Sequence, residues 1–139
     1  MPECTLQDTA MSPVRLSDFR GRKLVIATVP SLDTPVCDTE VRRFNAEAAA
    51  MGDVAIVAVS TDLPFAQARW CGAAGIDAVT TLSDHLHAAF GQATGLLIKE
   101  LRLLARAVLV VGPDGKVEYV QLVEEITQEP DYDAVLQAL

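Results

Sequence analysis

Lys23-Leu24-Val25-Ile26-Ala27-Thr28-Val29-Pro30-Ser31-Leu32-Asp33-Thr34-Pro35-Val36-Cys37 passes from an apolar, β-branched run into a helix start within fifteen residues. Residues 23–29 have the composition of a strand buried on both faces, and Pro30 stops them. After a short polar loop, Thr34 is read as an N-cap and Pro35 as the first helical residue, where a missing N–H costs nothing. Apolar side chains at Val36, Val41, Phe44 and Ala48 then follow a helical period as far as Met51-Gly52.

Working outward, Val54-Ala55-Ile56-Val57-Ala58-Val59-Ser60 is a second continuous apolar run. Two such runs joined by a helix describe a parallel βαβ unit. Asp62 and Pro64 are read as the cap and first turn of a second helix that carries Trp70 and Cys71 and is broken by Gly72 and Gly75. A short strand is expected at 78–82, and a helix capped by Ser83 through His85, Leu86, Ala89 and Phe90. Residues 96–104 show no clear period. The segments 106–111 and 117–123 flank Gly112-Pro113-Asp114-Gly115, whose turn chemistry predicts a β-hairpin. Pro130, Tyr132, Val135, Leu136 and Leu139 predict a closing helix. The order β-α-β-α-β-α-β-β-α is that of an α/β, thioredoxin-like fold with a central mixed sheet flanked by helices. One domain covers residues 1–139.

Composition bounds the function. The chain of 139 residues is half apolar and 22% charged, with a formal net charge of −8. The basic residues are scattered, so a nucleic-acid partner is not expected. No apolar run approaches the ~18–20 residues of a membrane span. The N-terminus shows no secretory signal, so a cytoplasmic location is the expectation. Three cysteines do not form a disulfide framework, and in a reducing compartment such thiols are reactive, buried or metal-bound. The turn at 112–115 is no phosphate loop. His85 and His87, spaced i, i+2 on the expected helix, would face different ways, so no metal is expected. Trp70 and Phe44 are read as packing residues.

Cys37 falls at about the third helical position, where free amides and the positive end of the helix dipole favour a thiolate. Thr34 would accept from an amide of the first turn and keep its hydroxyl proton for that anion. Moving a thiol pKa from ~8.5 to below ~6 raises the thiolate fraction at neutral pH only about 30-fold. Fast chemistry therefore needs a fixed donor as well. Arg106 is the candidate: a charge at the entrance to a core strand requires an anion, and its planar fork can hold a sulfur and an oxygen at once. Asp38 and Glu40 oppose it, since both would raise the thiol pKa if they faced the sulfur.

The pattern Pro30-x-x-x-Thr34-x-x-Cys37 resembles the peroxidatic loop of peroxiredoxins, and PSLDTPVCDTEVRRFN is similar to their thiol peroxidase subfamily. DLPFAQARWCG resembles that subfamily's resolving-cysteine helix, ARAVLVV its arginine strand and QLVEEITQEPDYDAVL its C-terminal end. The resemblance implies that Cys37 is peroxidatic, that Pro30, Thr34 and Arg106 bind the substrate, and that Cys71 is resolving. It also implies a sulfenic acid at Cys37, an intramolecular Cys37–Cys71 disulfide, reduction by thioredoxin, and a homodimer acting on hydrogen peroxide and alkyl hydroperoxides. No cofactor is expected. Subfamily members carry an N-terminal β-hairpin ahead of the segment that begins here with MPECTLQD, and this chain is expected to lack it. Cys4 is assigned no role.

Two other readings stay open. A thiol-based redox sensor or binding module would use the same cysteine pair to signal through a conformational change. A general thiol–disulfide oxidoreductase is disfavoured, because the first position of a C-x-x-C pair is Thr34 here.

Overall fold

The computed structural model describes residues 1–125 and 127–139; for Ala49 only the backbone is described. The two continuous apolar runs become central strands: β3 (Lys23–Thr28) and β4 (Val54–Ser60) pair in parallel, joined by α1 (Pro35–Glu47). α2 (Pro64–Ala74) leads to β5 (Thr80–Ser83), parallel to β4. β8 (Ala107–Val111) then pairs antiparallel with β3, and β9 (Val117–Leu122) antiparallel with β8. The turn between β8 and β9 closes through Gly112 N to Lys116 O at 2.8 Å and places Gly115 at φ 84°, a conformation glycine adopts without a Cβ clash. The closing helix α4 (Tyr132–Gln137) is capped by Asp131, whose side chain accepts from Ala134 N.

Ahead of this core, β1 (Thr5–Gln7) and β2 (Pro13–Arg15) form a short antiparallel hairpin, and β1 joins the sheet beside β5. The seven-stranded order is β2-β1-β5-β4-β3-β8-β9. Side chains alternate across it, so each central strand feeds two cores. Val25, Ala27, Ile56, Ala58, Val108 and Val110 face one, with Val41 and Phe44 of α1 and Val135 of α4. Leu24, Ile26, Val57, Val59 and Leu109 face the other, with Phe90 of α3 (Ala89–Thr94). This is the mixed, thioredoxin-like arrangement read from the sequence. Phe44 packs as expected, its ring edge-on to Tyr132 at 5.4 Å between centroids.

Four local readings need correction. The helix expected from Ser83 begins only at Ala89, because the Asp84 carboxylate, not Ser83, accepts from the free amides of Phe90 and Gly91 at 3.0 and 2.8 Å. Asp62 does not cap α2; Leu63 stands at that position without a side-chain bond. Gly72 lies inside α2, and Gly75, left-handed at φ 67°, ends it. The segment without a period contains a small separate hairpin, β6 (Leu97–Ile98) with β7 (Leu103–Leu104).

Candidate active site

The parallel β3–α1 connection sets the site at the carboxyl end of β3, where ligands gather in open α/β sheets. Pro30 is buried there, immediately after the strand. Thr34 is extended at φ −88°, ψ 145°, and its Oγ1 accepts from Cys37 N at 3.3 Å. Pro35 is the first helical residue and Cys37 the third, with its side chain wholly buried. Thr34 Oγ1 donates to the Ser31 carbonyl at 3.1 Å. The hydroxyl proton therefore closes the loop, whereas the sequence reading left it free for the sulfur.

The charge reaching that sulfur comes from Arg106. Its Nη2 donates to Cys37 Sγ at 3.1 Å, and its Nη1 donates to Glu40 Oε2. Cys37 and Glu40 are three apart on α1 and share a face, so one guanidinium spans both. All three are buried, with Arg106 only 2% exposed. Burial pushes the Glu40 carboxyl up to about 7, although the adjacent guanidinium pulls it down. Its second oxygen, Oε1, has no hydrogen-bond partner among the described residues. Burial works against the Arg106 charge, but Glu40 and Cys37 beside it outweigh that and hold it above its ordinary value.

A buried ion pair adds little net stability compared with apolar packing. What Glu40 contributes is aim, since it fixes one arm of the fork and leaves the other on sulfur. The Arg106 backbone is fixed as well. Thr28 Oγ1, buried at the end of β3, donates to the carbonyl before Arg106, that of Ala105 at 2.7 Å, with the carbonyl after it, that of Ala107, at 3.3 Å as the weaker arm of the shared bond. A cationic donor beside a nucleophilic sulfur at a helix start stabilises anionic sulfur and an oxygen developing negative charge.

The loop between β3 and α1 is held from β4. Asp62 accepts from Ser31 Oγ at 2.7 Å, from Leu32 N at 2.8 Å and from Ser60 Oγ at 2.9 Å. Asp38 turns away from the sulfur, accepting from Arg42 Nε and Trp70 Nε1, both at 2.8 Å.

The structure thus brings Pro30, Thr34, Cys37 and Arg106 to one place. Cys71 stands apart on α2, half-buried, with Sγ 3.5 Å from Thr81 Oγ1 on β5. All three cysteines are free thiols. Cys4 is buried in the opposite core, and burial, with the charges of Asp84 and Glu3, pushes its thiol up to about 11. His85 lies in a turn and meets Gln7 Oε1 through Nε2 at 2.8 Å. Sequence reasoning missed the roles of Glu40, Thr28 and Asp62. A carboxylate one helical turn beyond a reactive cysteine, and a lone threonine ending an apolar strand, were the available signals.

The chain is similar to several known proteins. A model of the Redoxin family matches residues 1–136. The thiol peroxidase of Bacillus subtilis (strain 168) is 51% identical over 137 residues, 99% of this chain and 82% of that protein. The thiol peroxidase of Oceanobacillus iheyensis is also 51% identical, over 138 residues, 99% of this chain and 84% of its own length. Among solved structures, a peroxiredoxin-like protein from Aquifex aeolicus superposes with a TM-score of 0.91 at 43% identity, covering 98% of this chain and 81% of that one.

Proposed function

From the premise that this chain belongs to the Redoxin family, as a peroxiredoxin of the thiol peroxidase subfamily, we propose that it reduces hydrogen peroxide and alkyl hydroperoxides through Cys37. The observation that carries the reading is the 3.1 Å contact from Arg106 Nη2 to Cys37 Sγ, inside a site where Glu40 takes the other arm of the guanidinium.

The Cys37 thiolate attacks one peroxide oxygen. The S–O bond forms as the O–O bond breaks, and the departing oxygen leaves as alkoxide or hydroxide and takes a proton. Sulfur is oxidised to a sulfenic acid and the peroxide is reduced to alcohol or water. Arg106 is placed to receive the charge that builds on the departing oxygen. Thr34 holds the helix start and, with Pro30, shapes the floor where the peroxide lies. Cys37 is fully buried, so its sulfur has to become accessible before peroxide can reach it.

Cys71 then attacks the sulfenic sulfur, water leaves, and a Cys37–Cys71 disulfide results. Thioredoxin is the reductant we assign, and a cytoplasmic homodimer of this single-domain chain the working form. The subfamily resemblance and the similar relatives support these steps. Cys37→Ser should abolish peroxide consumption. Cys71→Ser should permit one oxidation of Cys37 and then stop with thioredoxin as the only reductant. A Cys37→Ser variant that still turns over would refute the assignment.

A further inference from the structure

The residues next to the two cysteines are bonded to each other. Asp38 follows Cys37 on α1, Trp70 precedes Cys71 on α2, and the indole Nε1 donates to Asp38 Oδ1 at 2.8 Å. Arg42, one turn further along α1, completes a clamp. Its Nε donates to the same Asp38 oxygen at 2.8 Å, its guanidinium carbon lies 5.8 Å from the indole centroid, and its Nη1 donates to the Ala74 carbonyl at 3.4 Å near the end of α2. Meanwhile the two sulfurs are turned to separate partners, Cys37 to Arg106 and Cys71 to Thr81.

Consecutive helical residues project about 100° apart. Trp70 therefore reaches α1 only while Cys71 faces β5. A rotation or unwinding of α2 that carries Cys71 off Thr81 carries the adjoining Trp70 with it, and the indole leaves Asp38. We propose that Trp70 is a positioning residue for the resolving half of the reaction, holding α2 to α1 through Asp38 so that this bond must open each time the disulfide forms. The inference rests on the assignment of Cys37 and Cys71 made above.

In the resolving step the Cys71 sulfur gives up its proton and attacks the sulfenic sulfur of Cys37. The S–S bond forms, the S–O bond breaks, and hydroxyl leaves with the proton as water; Cys71 is oxidised as the sulfenic sulfur is reduced. While the clamp is closed, a second hydroperoxide competes. It oxidises the sulfenic acid to sulfinic acid and is itself reduced to alcohol or water. The indole–carboxylate bond, as one arm of that clamp, thus biases the partition between resolution and over-oxidation.

The test is rapid quenching of the whole protein after mixing with hydrogen peroxide, alkylation of remaining thiols, and mass spectrometry of the products. Trp70→Phe keeps an aromatic ring for packing and removes the donor, together with part of the indole's contact with the core and with Arg42. It should leave the rate of Cys37 thiol loss unchanged and speed disulfide formation roughly three- to tenfold, the range for one hydrogen bond to a carboxylate that is partly in water. The sulfinic fraction at high peroxide should fall by a similar factor. Asp38→Asn, which weakens the bond from the other side, should speed resolution too, and should add less in the Trp70→Phe background than in the wild type, because only the Arg42 arm is then left to weaken. Resolution at the wild-type rate in Trp70→Phe, an equal change in both steps, or full additivity of the two substitutions overturns the proposal. If the wild-type protein forms no Cys37–Cys71 disulfide, the cysteine assignment itself fails and the inference falls with it; the wild-type sample reports that separately.

Discussion

Arg106 Nη2 lies 3.1 Å from Cys37 Sγ, both side chains buried, although the two residues stand sixty-nine positions apart in the chain. The antiparallel pairing of β8 with β3, in which Ala107 stands opposite Thr28, carries the arginine across the sheet to the start of α1. Its second arm rests on Glu40, so three side chains form one buried charge-bearing unit.

Replacing Arg106 separates charge from fork. Arg106→Lys keeps the charge and loses the two-armed geometry, and the second-order rate with peroxide should fall by roughly 10²–10³, the cost of losing one aimed donor to a developing oxyanion. Stopped-flow peroxide consumption measures it. Arg106→Met should also destabilise the fold by about 1–3 kcal/mol, because the Glu40 carboxyl, already raised by burial, takes up a proton but is left buried without its hydrogen-bond partner. Glu40→Gln in the same chain should recover part of that loss in denaturant unfolding.

Glu40 gives the stability a distinct pH dependence. Burial raises its folded-state value from 4.5 toward about 7, so the folded protein holds the proton more tightly than the unfolded chain. The resulting contribution to stability is complete below the ordinary carboxylate value and is lost as pH rises through about 7. Unfolding free energies of wild type minus Glu40→Gln should therefore decline from pH 4.5 to 7. A flat or rising difference would show that the carboxyl is not raised.

Thr34 can be tested with its two nearest relatives. Valine keeps the shape but offers no acceptor to Cys37 N and no donor to Ser31 O, so Thr34→Val should cost about 1 kcal/mol of stability and slow the peroxide step. Thr34→Ser should retain both bonds and most of the rate. Paired unfolding and peroxide-consumption curves for the two variants decide it.

Asp62 acts on the same loop from outside. Asp62→Ala removes the acceptor for Ser31 Oγ, Leu32 N and Ser60 Oγ, and should loosen residues 31–34. Amide exchange at Leu32 should accelerate and the peroxide rate should fall. Unchanged exchange at Leu32 would show that the loop is held by other means.

The sequence made the central architecture legible because both decisive strands are continuous apolar runs and the helix between them begins with a cap and a proline. Thr34, Cys37 and Arg106 were readable for a related reason: a cap, a thiol at the third helical position and a lone charge beside a core strand each demand a partner. Glu40 was legible only as a charge near a thiol. Its true partner is Arg106, just ahead of β8 and sixty-six positions away, and no local pattern announces a pairing of that range. Asp62 misled for a similar reason. A carboxylate before Pro64 satisfies the local rule for a cap, yet tertiary contacts give it to the loop after β3. The helix expected from Ser83 failed because Ala88 takes a positive φ of 50° and Asp84 caps the later start.

Turnover depends on which sulfur meets the oxidant and which sulfur answers it. Treating the reduced protein with one equivalent of hydroperoxide, without added reductant, and mapping its peptides by mass spectrometry addresses both points. A loss of two hydrogens should join the Cys37 and Cys71 peptides, with Cys4 still a free thiol. Oxidation at Cys4, or a Cys37 thiol that survives the treatment intact, would contradict it.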